Sequence, residues 1–332
     1  MASSLPSQVD ALPAGHSERW SVHGATAEND EELLQLFEKV FGHVMSASQW
    51  RWKYADAPTR GMMLRRDGTA VAFFGGMPRT IQGPSGTHIV VQNGDVMVLP
   101  SERGVFSRRG ALYHVAAAFF SQLVGPSLGY EFAFGFPSGR HFQLGIKLGL
   151  YAPAGRMTAL TWPALLPSQQ RWSTTATLDK KNLHLLQPLW RDMRTSWPQY
   201  FMPVRDAARW NSRFASHPVH HYELLVIRRR WTGRPLCAIA LREHAGHVEW
   251  LDYVGSSKAT GLAVNAARRF AGERNKKPVM GLFSEGIAPY FAIDAASCMP
   301  SDIYIPVNAR PVEEGRPYIG QLWLTGGDTD FL

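Results

Sequence analysis

The chain has 332 residues, of which 45% are hydrophobic and 19% are charged. This composition describes a globular protein with a sizeable core and excludes a disordered one, and the length allows two ordinary domains. Lysine and arginine outnumber aspartate and glutamate by 35 to 27, which gives a formal net charge of +8. A basic surface of this kind attracts polyanions, and nucleotide-bearing cofactors are polyanions as much as nucleic acids are.

The cysteines and the apolar segments indicate the compartment. Cys237 and Cys298 are too few for a disulfide framework, so we expect a reducing environment. Residues 1–18 lack a basic start and an apolar block, which predicts a flexible polar tail and not a signal peptide. The apolar stretch 111–124 contains polar residues and is too short to span a bilayer. We therefore expect a cytoplasmic protein with no membrane partner.

Strand and helix patterns alternate through the first 160 residues. Asp67-Gly68 and the segment 83–86 are turn signals between apolar runs, which predicts antiparallel strands on either side of each. In chain order we predict a strand at 19–25, a helix at 28–42, strands at 61–66, 69–76, 79–82 and 88–99, a helix at 112–123, a strand at 130–136, a helix at 139–147 and a strand at 150–160. This order predicts a mixed α/β (α+β) fold in which helices cover the faces of one mixed sheet.

A similar pattern starts again after a segment rich in Ser, Thr and Gln at 163–182, which we interpret as a linker. In chain order we predict a helix at 183–197, strands at 222–229, 236–243 and 247–254, a helix at 260–273, and further elements at 279–284, 287–293 and 319–325.

An internal repeat supports a division into two domains. The segment from Trp50 to Pro58 aligns without gaps on the segment from Trp210 to Pro218, and tryptophan, a basic residue, an aromatic residue, alanine and proline recur in register. Because the flanking element order also recurs, we predict two copies of one fold. The first copy occupies 19–162 and the second occupies 183–332.

One loop carries the clearest chemical signal. A strand ends at Pro100, and a loop with two glycines and three arginines then leads into the helix that begins near Leu112. The free N–H groups and the dipole at a helix start favour a pyrophosphate there, and the glycines let the main chain approach it closely. Arg103, Arg108 and Arg109 can add charge-assisted hydrogen bonds.

This loop resembles the pyrophosphate loop of GNAT-family acetyltransferases. The matching residues are Val98-Leu-Pro100 and Arg103-Gly104, whereas the second glycine is displaced to Gly110. Downstream, 134–137 and 144–150 resemble further GNAT motifs, as does the segment that begins at Trp50. The resemblance implies tandem GNAT folds with a degenerate second copy, and acetyl-CoA or another acyl-CoA as co-substrate. The CoA-binding residues that it implies are Met97, Val98, Leu99, Arg103, Gly104, Val105, Arg108, Arg109 and Gly110, with main-chain N–H groups around Met97 to Leu99 polarising the thioester.

Acyl transfer to an amine also needs proton transfers. An alkyl ammonium must lose its proton, and Asp95, on the strand that leads into the loop, is our candidate for general base. The tyrosine that many GNAT enzymes use to protonate the departing thiolate falls at Gly145. Another group or solvent must replace that tyrosine, and His141, Tyr151 and Tyr113 are the candidates, among which spacing does not choose.

The remaining conspicuous residues support no metal site and no second CoA site. The twelve histidines lack metal-ligand spacing. The second copy carries 254–258 where the pyrophosphate loop would lie, so we expect that copy to shape the acceptor cleft. Two acids at 326–330 indicate either a solvated tail or a lid over an amine-bearing substrate.

Three functions remain open. The first is N-acyl transfer to a small polar amine, with an amino sugar of surface-polysaccharide synthesis suggested by family analogy alone. The second is a Fem-type aminoacyl-tRNA-dependent transferase, and the third is a non-catalytic GNAT-like binding protein. A nucleic-acid partner is not favoured, because the arginine-rich segments, such as 228–230, are short and scattered.

Overall fold

The computed structural model describes residues 19–105, 107–166, 172–274, 277–309 and 318–329. The predicted tail at 1–18 and Asp330 lie outside them. The chain forms two compact units, one of residues up to Pro78 with Val91–Tyr130, the other of Arg79–Val90 with the residues from Glu131 onward. These boundaries differ from the linker at 163–182, so the division into two domains at that linker stays a prediction.

Among its described residues, the first unit contains three α-helices and strands of a sheet. Its elements are β1 Ser21–Ala25, α1 Asp30–Phe41, α2 Ala47–Lys53, β2 Gly61–Arg66, β3 Thr69–Gly83, β4 Gly86–Val98 and α3 Ala111–Leu123, with β3 and β4 contributing to this unit only residues 69–78 and 91–98. β1 pairs antiparallel with β2, β2 pairs antiparallel with β3, and β4 is the next strand of the sheet.

Local sequence explains the start and end of α1 and the first hairpin. Thr26 and Asn29 form a capping box on the turn before α1, and Gly42 ends the helix in the left-handed region at φ +77°. Asp67 and Gly68 turn the chain between β2 and β3 with φ values of +51° and +78°. Two consecutive positive φ values suit the twist of a tight hairpin, so the predicted turn is confirmed.

The second unit contains the other strands and helices. Its elements are β5 Ala133–Phe134, α4 Gly139–Leu148, β6 Tyr151–Trp162, β7 Ser173–Thr177, α5 Leu186–Ser196, β8 Met202–Pro203, α6 Ala207–Trp210, β9 Glu223–Arg229, β10 Pro235–Glu243, β11 Val248–Gly255, α7 Thr260–Glu273, β12 Val279–Ser284, α8 Ala288–Phe291 and β13 Ser297–Asn308. Its sheet follows the order β5, β13, β6, β12, β11, β10, β9, β7. β11 and β12 are parallel, and the other paired strands of this series are antiparallel. The predicted mixed α/β fold is confirmed.

Each unit has its own aromatic-rich core. Trp50, Tyr54 and Phe73 are fully buried in the first unit. In the second unit, Trp162 and Trp250 pack with ring centroids 5.4 Å apart among more than thirty other buried apolar residues. Burial of aromatic side chains of this size removes a large apolar area from water and stabilises each unit.

The order of elements recurs along the chain. After α2, three strands are followed by a short turn, a long helix, a strand, a helix and a strand, ending with β6. After α6 the same series runs from β9 to β13. The two tryptophans of the sequence repeat, Trp50 and Trp210, are both completely buried. This recurrence is what two copies of one fold require.

Some predicted elements in the second half are wrong. The segment 287–293 contains the short helix α8, and 319–325 contains bridge pairs but no strand among its described residues. The long strand β13 was not predicted, because Pro300 and Pro306 interrupt its sequence pattern. The structure accommodates both prolines through irregularities in the register between β13 and β6. The expected linker contains the edge strand β7.

No helix among the described residues is long and apolar enough to cross a lipid bilayer.

Candidate functional site

The loop between β4 and α3 is held in a defined shape by its own residues. A 3-10 turn at Pro100–Glu102 follows β4, and Arg103 Nε then donates a 2.8 Å hydrogen bond back to the Val98 carbonyl. Gly104 adopts φ +99°, a conformation that favours glycine. A Cβ at Gly110 would lie 2.1 Å from the Val105 carbonyl oxygen, so this position has room only for glycine.

A buried carboxylate anchors this loop. Glu102 is 4% exposed and accepts a 3.0 Å hydrogen bond from Trp20 Nε1. It also forms ion pairs with Arg19 and Arg66. Sequence patterns do not indicate this role, because the partners come from β2 and from residues before β1. The loop is therefore fixed at one end while its later residues remain exposed.

The exposed part of the loop is basic and lies at the start of α3. Arg103, Arg108 and Arg109 are exposed, as are Gly104 and Val105. No described side chain caps α3, and the intrahelical bonds begin with His114 N–H donating to the Gly110 carbonyl. The earlier N–H groups of a helix have no partner within it, and the helix dipole makes this end electropositive. The loop can therefore accept an anion such as a diphosphate.

The last residues of β4 were predicted to polarise a carbonyl through their N–H groups. Met97 is completely buried, and Val98 and Leu99 are partly exposed. The Leu99 N–H already donates a 2.9 Å bond to the Val71 carbonyl. That bond would have to open before the Leu99 N–H could serve a ligand.

Asp95 is a paired, buried carboxylate with an unusual backbone. Its φ of +48° lies in the left-handed region, and its side chain is 6% exposed. Lys53 Nζ donates to Oδ1 and Tyr54 Oη donates to Oδ2, each at 2.7 Å. Both partners come from the end of α2. Both oxygens of Asp95 therefore accept hydrogen bonds from neighbouring side chains, which hold the carboxylate in place.

The partners of Asp95 are functional candidates that sequence reasoning missed. Lys53 and Tyr54 lie inside the repeat that begins at Trp50, so the signal was present but was interpreted as a fold marker. Tyr54 also packs closely against the sheet, since a Cβ at Gly75 would lie 2.3 Å from its hydroxyl. The structure thus brings together Lys53, Tyr54 and Asp95 as one polar cluster.

In the second unit, Tyr151 and His141 form a pair. The Tyr151 hydroxyl lies 3.3 Å from His141 Nε2. Burial raises the pKa of Tyr151 and lowers the pKa of His141, because each charged form loses solvation. The pair is therefore neutral at physiological pH, with a phenol proton and an imidazole that can exchange it. The third candidate, Tyr113, belongs to the first unit, where its ring lies 5.9 Å from the Arg108 guanidinium carbon.

Solved structures of several acyltransferases share the architecture. A conserved protein of unknown function from Enterococcus faecalis, described as a probable N-acyltransferase, matches with a TM-score of 0.65 at 12% identity, over 87% of this chain and 71% of that chain. A GCN5-related N-acetyltransferase from Anabaena variabilis matches with 0.62 at 15% identity, over 87% and 72%. Saccharomyces cerevisiae N-myristoyltransferase with bound myristoyl-CoA matches with 0.57 at 11% identity, over 93% and 86%.

This chain has the GNAT fold. No protein-family model matches it, and no curated protein matches its sequence. At these identities the likeness concerns the GNAT fold and leaves the substrate open.

The counterpart of the basic loop in the second GNAT-like copy is closed. Tyr253 Oη donates a 2.6 Å bond to the Ser256 carbonyl, and Ser257 N–H donates to Ser196 Oγ at 3.0 Å. A Cβ at Gly255 would lie 2.8 Å from both Cys237 Cβ and the Tyr253 hydroxyl. This turn uses these polar groups in hydrogen bonds within the second unit.

The acidic segment at 326–330 is neither a solvated tail nor a lid where the structure describes it. Asp328 is 7% exposed and pairs with the buried Arg205, which also donates a 2.8 Å bond to Asp252. Arg213 Nε donates to the Gly327 carbonyl at 2.8 Å. These bonds fix the described part of the segment in the interior of the second unit.

Among the described residues, no group of three or more His, Cys, Asp or Glu side chains is arranged to hold a metal ion.

Proposed function

We propose that this protein is an N-acyltransferase that moves an acyl group from coenzyme A to the primary amine of a small polar acceptor. The observation that carries the proposal is the start of α3, which has no side-chain cap among the described residues and follows a loop in which Arg103, Arg108 and Arg109 are exposed. The likeness to a GCN5-related N-acetyltransferase and to an N-myristoyltransferase crystallised with myristoyl-CoA supports it.

The loop would bind the diphosphate of CoA in two ways. Main-chain N–H groups at the start of α3 would donate to phosphate oxygens, helped by the helix dipole. Arg108 and Arg109 would add charge-assisted bonds, which are stronger than neutral ones. Because Gly104 and Gly110 have no side chains, the main chain of the loop could approach the phosphates closely. Met97, Val98 and Leu99 of β4 would then orient the thioester, as the resemblance implies.

The chemistry requires a free amine and a protonated leaving thiolate. Aligning the amine and the thioester carbonyl supplies much of the rate enhancement, because it removes the entropy cost of their encounter. Asp95 remains the proposed proton acceptor, acting within the cluster that it forms with Lys53 and Tyr54. Tyr151, with His141 beside it, is the proposed proton donor to the thiolate, since its phenol stays protonated at physiological pH.

The acyl chain and the acceptor are proposed from the family resemblance. We propose an acetyl group and an amino-sugar acceptor of surface-polysaccharide synthesis, both from the family resemblance. A competing assignment is transfer from aminoacyl-tRNA. The exposed pyrophosphate-type loop favours a CoA ester, because aminoacyl-tRNA carries no diphosphate for that loop to bind.

The test distinguishes binding through the diphosphate from binding through the rest of the cofactor. Binding of acetyl-CoA and of acetyl-pantetheine, which lacks the diphosphate and nucleotide, is measured by calorimetry on the parent and on Arg108→Gln/Arg109→Gln. We expect acetyl-CoA affinity to fall by about tenfold or more in the variant, and acetyl-pantetheine affinity to stay unchanged. The exposed pair Lys39→Gln/Arg51→Gln is the matched control, with the same loss of charge elsewhere on the first unit.

Activity is then measured as release of free CoA thiol with a panel of amines and amino sugars. An amine-dependent release supports the proposal and identifies the acceptor class. If no CoA ester binds the parent protein at millimolar concentration, the proposal is wrong. Binding of charged tRNA in place of CoA would support the aminoacyl-transfer alternative.

A further inference from the structure

Two exposed tryptophans touch each other at the sheet edge of the second unit. Trp172 precedes β7, and Trp231 lies in the turn between β9 and β10. Their side chains are 63% and 65% exposed, with ring centroids 5.1 Å apart and ring planes at 71°. Single exposed apolar side chains are common on proteins, but two large ones in contact with each other and with water form a patch that needs an explanation.

The backbone holds this pair in place. β7 pairs with β9 so that Ser173 lies opposite Arg229, and Arg230 N–H donates a 3.0 Å bond to the Trp172 carbonyl. Arg229 N–H donates to the Arg234 carbonyl at 2.8 Å, and Gly233, with φ +67°, completes the turn. The tryptophans are therefore presented by the ends of paired strands and are fixed relative to each other before any partner binds.

Positive charge surrounds the pair. Arg229, Arg230 and Arg234 are all exposed, and the two segments 172–177 and 228–234 contain no acidic residue. Among the described residues, Asp192 forms an ion pair with this group, 3.6 Å from Arg234 and open to solvent. Such a surface complements a partner that is both negatively charged and able to accept indole rings.

We propose that this tryptophan–arginine surface, made of Trp172, Trp231, Arg229, Arg230 and Arg234, binds peripherally to anionic phospholipid bilayers. Indole rings prefer the depth of the lipid headgroups, where the apolar body is buried and the N–H stays hydrated. Guanidinium groups at the same level are attracted by acidic headgroups. The inference does not depend on the proposed function.

The ring geometry favours a bilayer over a single-stranded nucleic acid. Consecutive bases stack on aromatic faces that are roughly parallel, whereas these two planes are closer to perpendicular. Two indole rings at this angle instead form a compact apolar protrusion. The expectation of no membrane partner rested on the lack of a spanning segment, and that lack does not bear on binding at the surface of a bilayer.

The experiment is co-sedimentation of the full chain with vesicles of phosphatidylcholine, with and without about one-third phosphatidylglycerol. We expect binding to the acidic vesicles that weakens as salt rises. Trp172→Ala/Trp231→Ala and Arg229→Gln/Arg230→Gln should each weaken it by about tenfold or more. Lys180→Gln/Lys181→Gln, an exposed pair beyond the other end of β7, and Met299→Ala, an exposed apolar residue, are matched controls that should retain binding.

A second measurement locates the indole rings. Brominated lipids should quench fluorescence of the parent, and the quenching should be lost in the tryptophan double variant, whose circular dichroism must match the parent. No binding to acidic vesicles at low salt would overturn the proposal. Binding that persists without the two tryptophans, or tryptophan-dependent binding of a single-stranded oligonucleotide with none to vesicles, would overturn it as well.

Discussion

The ring of Tyr151 occupies the space that a side chain at Gly145 would need. A Cβ at Gly145 would lie 1.9 Å from Tyr151 Cδ2 and 2.3 Å from Cε2. Gly145 is the position where many GNAT enzymes carry the tyrosine that protonates the thiolate, according to the sequence resemblance. In this chain a tyrosine ring fills that place from the following strand, β6, instead of from α4.

This packing predicts the effect of Gly145→Ala. The rigid ring of Tyr151 must move, so the variant should lose about 1–3 kcal/mol of unfolding free energy, although alanine is normally the better helix former. Gly261→Ala is the matched control, because its Cβ would have a 3.5 Å contact with Ile293, and it should be neutral or stabilising. Thermal unfolding of both variants tests the packing, and equal stability of the two would contradict it.

Asp95 should be important for stability as well as for any chemistry. Asp95→Asn tolerates the left-handed backbone but leaves the charge of Lys53 buried without its carboxylate, which should cost about 2–4 kcal/mol. Lys53→Met/Asp95→Asn should recover part of that loss, because it removes the buried charge. Urea unfolding measures both. If Asp95→Asn is as stable as the parent, the ion pair contributes nothing to folding.

The same variants address the general-base proposal. A structural role predicts that activity follows stability, so the double variant should recover both. A base role predicts that activity stays low in the double variant while stability recovers. The dependence of kcat on pH distinguishes these outcomes, since removal of the base eliminates the titration that it causes.

The shape of the basic loop between β4 and α3 should depend on Gly110. Gly110→Ala places a Cβ against the Val105 carbonyl and forces the loop to open, so acetyl-CoA affinity should fall by about tenfold or more. Gly129→Ala, whose Cβ would be 3.9 Å from its nearest neighbour, is the control and should bind like the parent. Calorimetric titration of both variants gives the comparison. Unchanged affinity for Gly110→Ala would show that the loop shape is not required.

The buried cluster around Arg205 should be sensitive to the loss of one carboxylate. Asp328→Ala removes one of the two carboxylates that pair with Arg205 in the described part of the chain, and breaking such a buried pair should cost about 3–5 kcal/mol. Asp192→Ala breaks the exposed pair with Arg234 and should cost less than about 1 kcal/mol. A similar loss of stability in the two variants, measured by denaturant unfolding, would argue against a structural role for the cluster.

Acid should destabilise the protein through His217. Burial, together with the charge of Arg213, lowers the pKa of His217 from 6.5 to about 4. Because the unfolded chain binds the proton more readily, the stability contributed by neutral His217 is complete above pH 6.5 and is lost as the pH falls toward 4. Nδ1 of His217 accepts from the N–H of His220 at 2.9 Å, which fits the neutral ring.

The variant His217→Asn keeps an acceptor at this position but does not titrate. The fall in unfolding free energy between pH 6.5 and pH 4 should be smaller by about 1 kcal/mol, after discounting for the solvent that reaches the half-buried ring. His184→Asn, at an exposed histidine, is the control. An identical pH slope for His217→Asn and the parent would contradict the assignment.

The sequence by itself determined many of the local elements and the residues of the basic loop. The Asp67-Gly68 turn and the bounds of α7 at Thr260–Glu273 follow from residue conformational preferences and apolar periodicity, which act over a few neighbours. The glycines and arginines of the loop are also contiguous, so their chemistry was visible before the fold was known.

Tertiary structure decided what depends on residues far apart in the chain. The partners of Asp95 are about forty residues away from it in the sequence. Asp328 and Arg205 form an ion pair although more than a hundred residues separate them. The strand β13 forms because β6 and β5 offer it hydrogen bonds despite its two prolines. The energy of such a side-chain pair depends on the distance between the two partners and on their burial. Neither quantity can be deduced from residue periodicity along the chain.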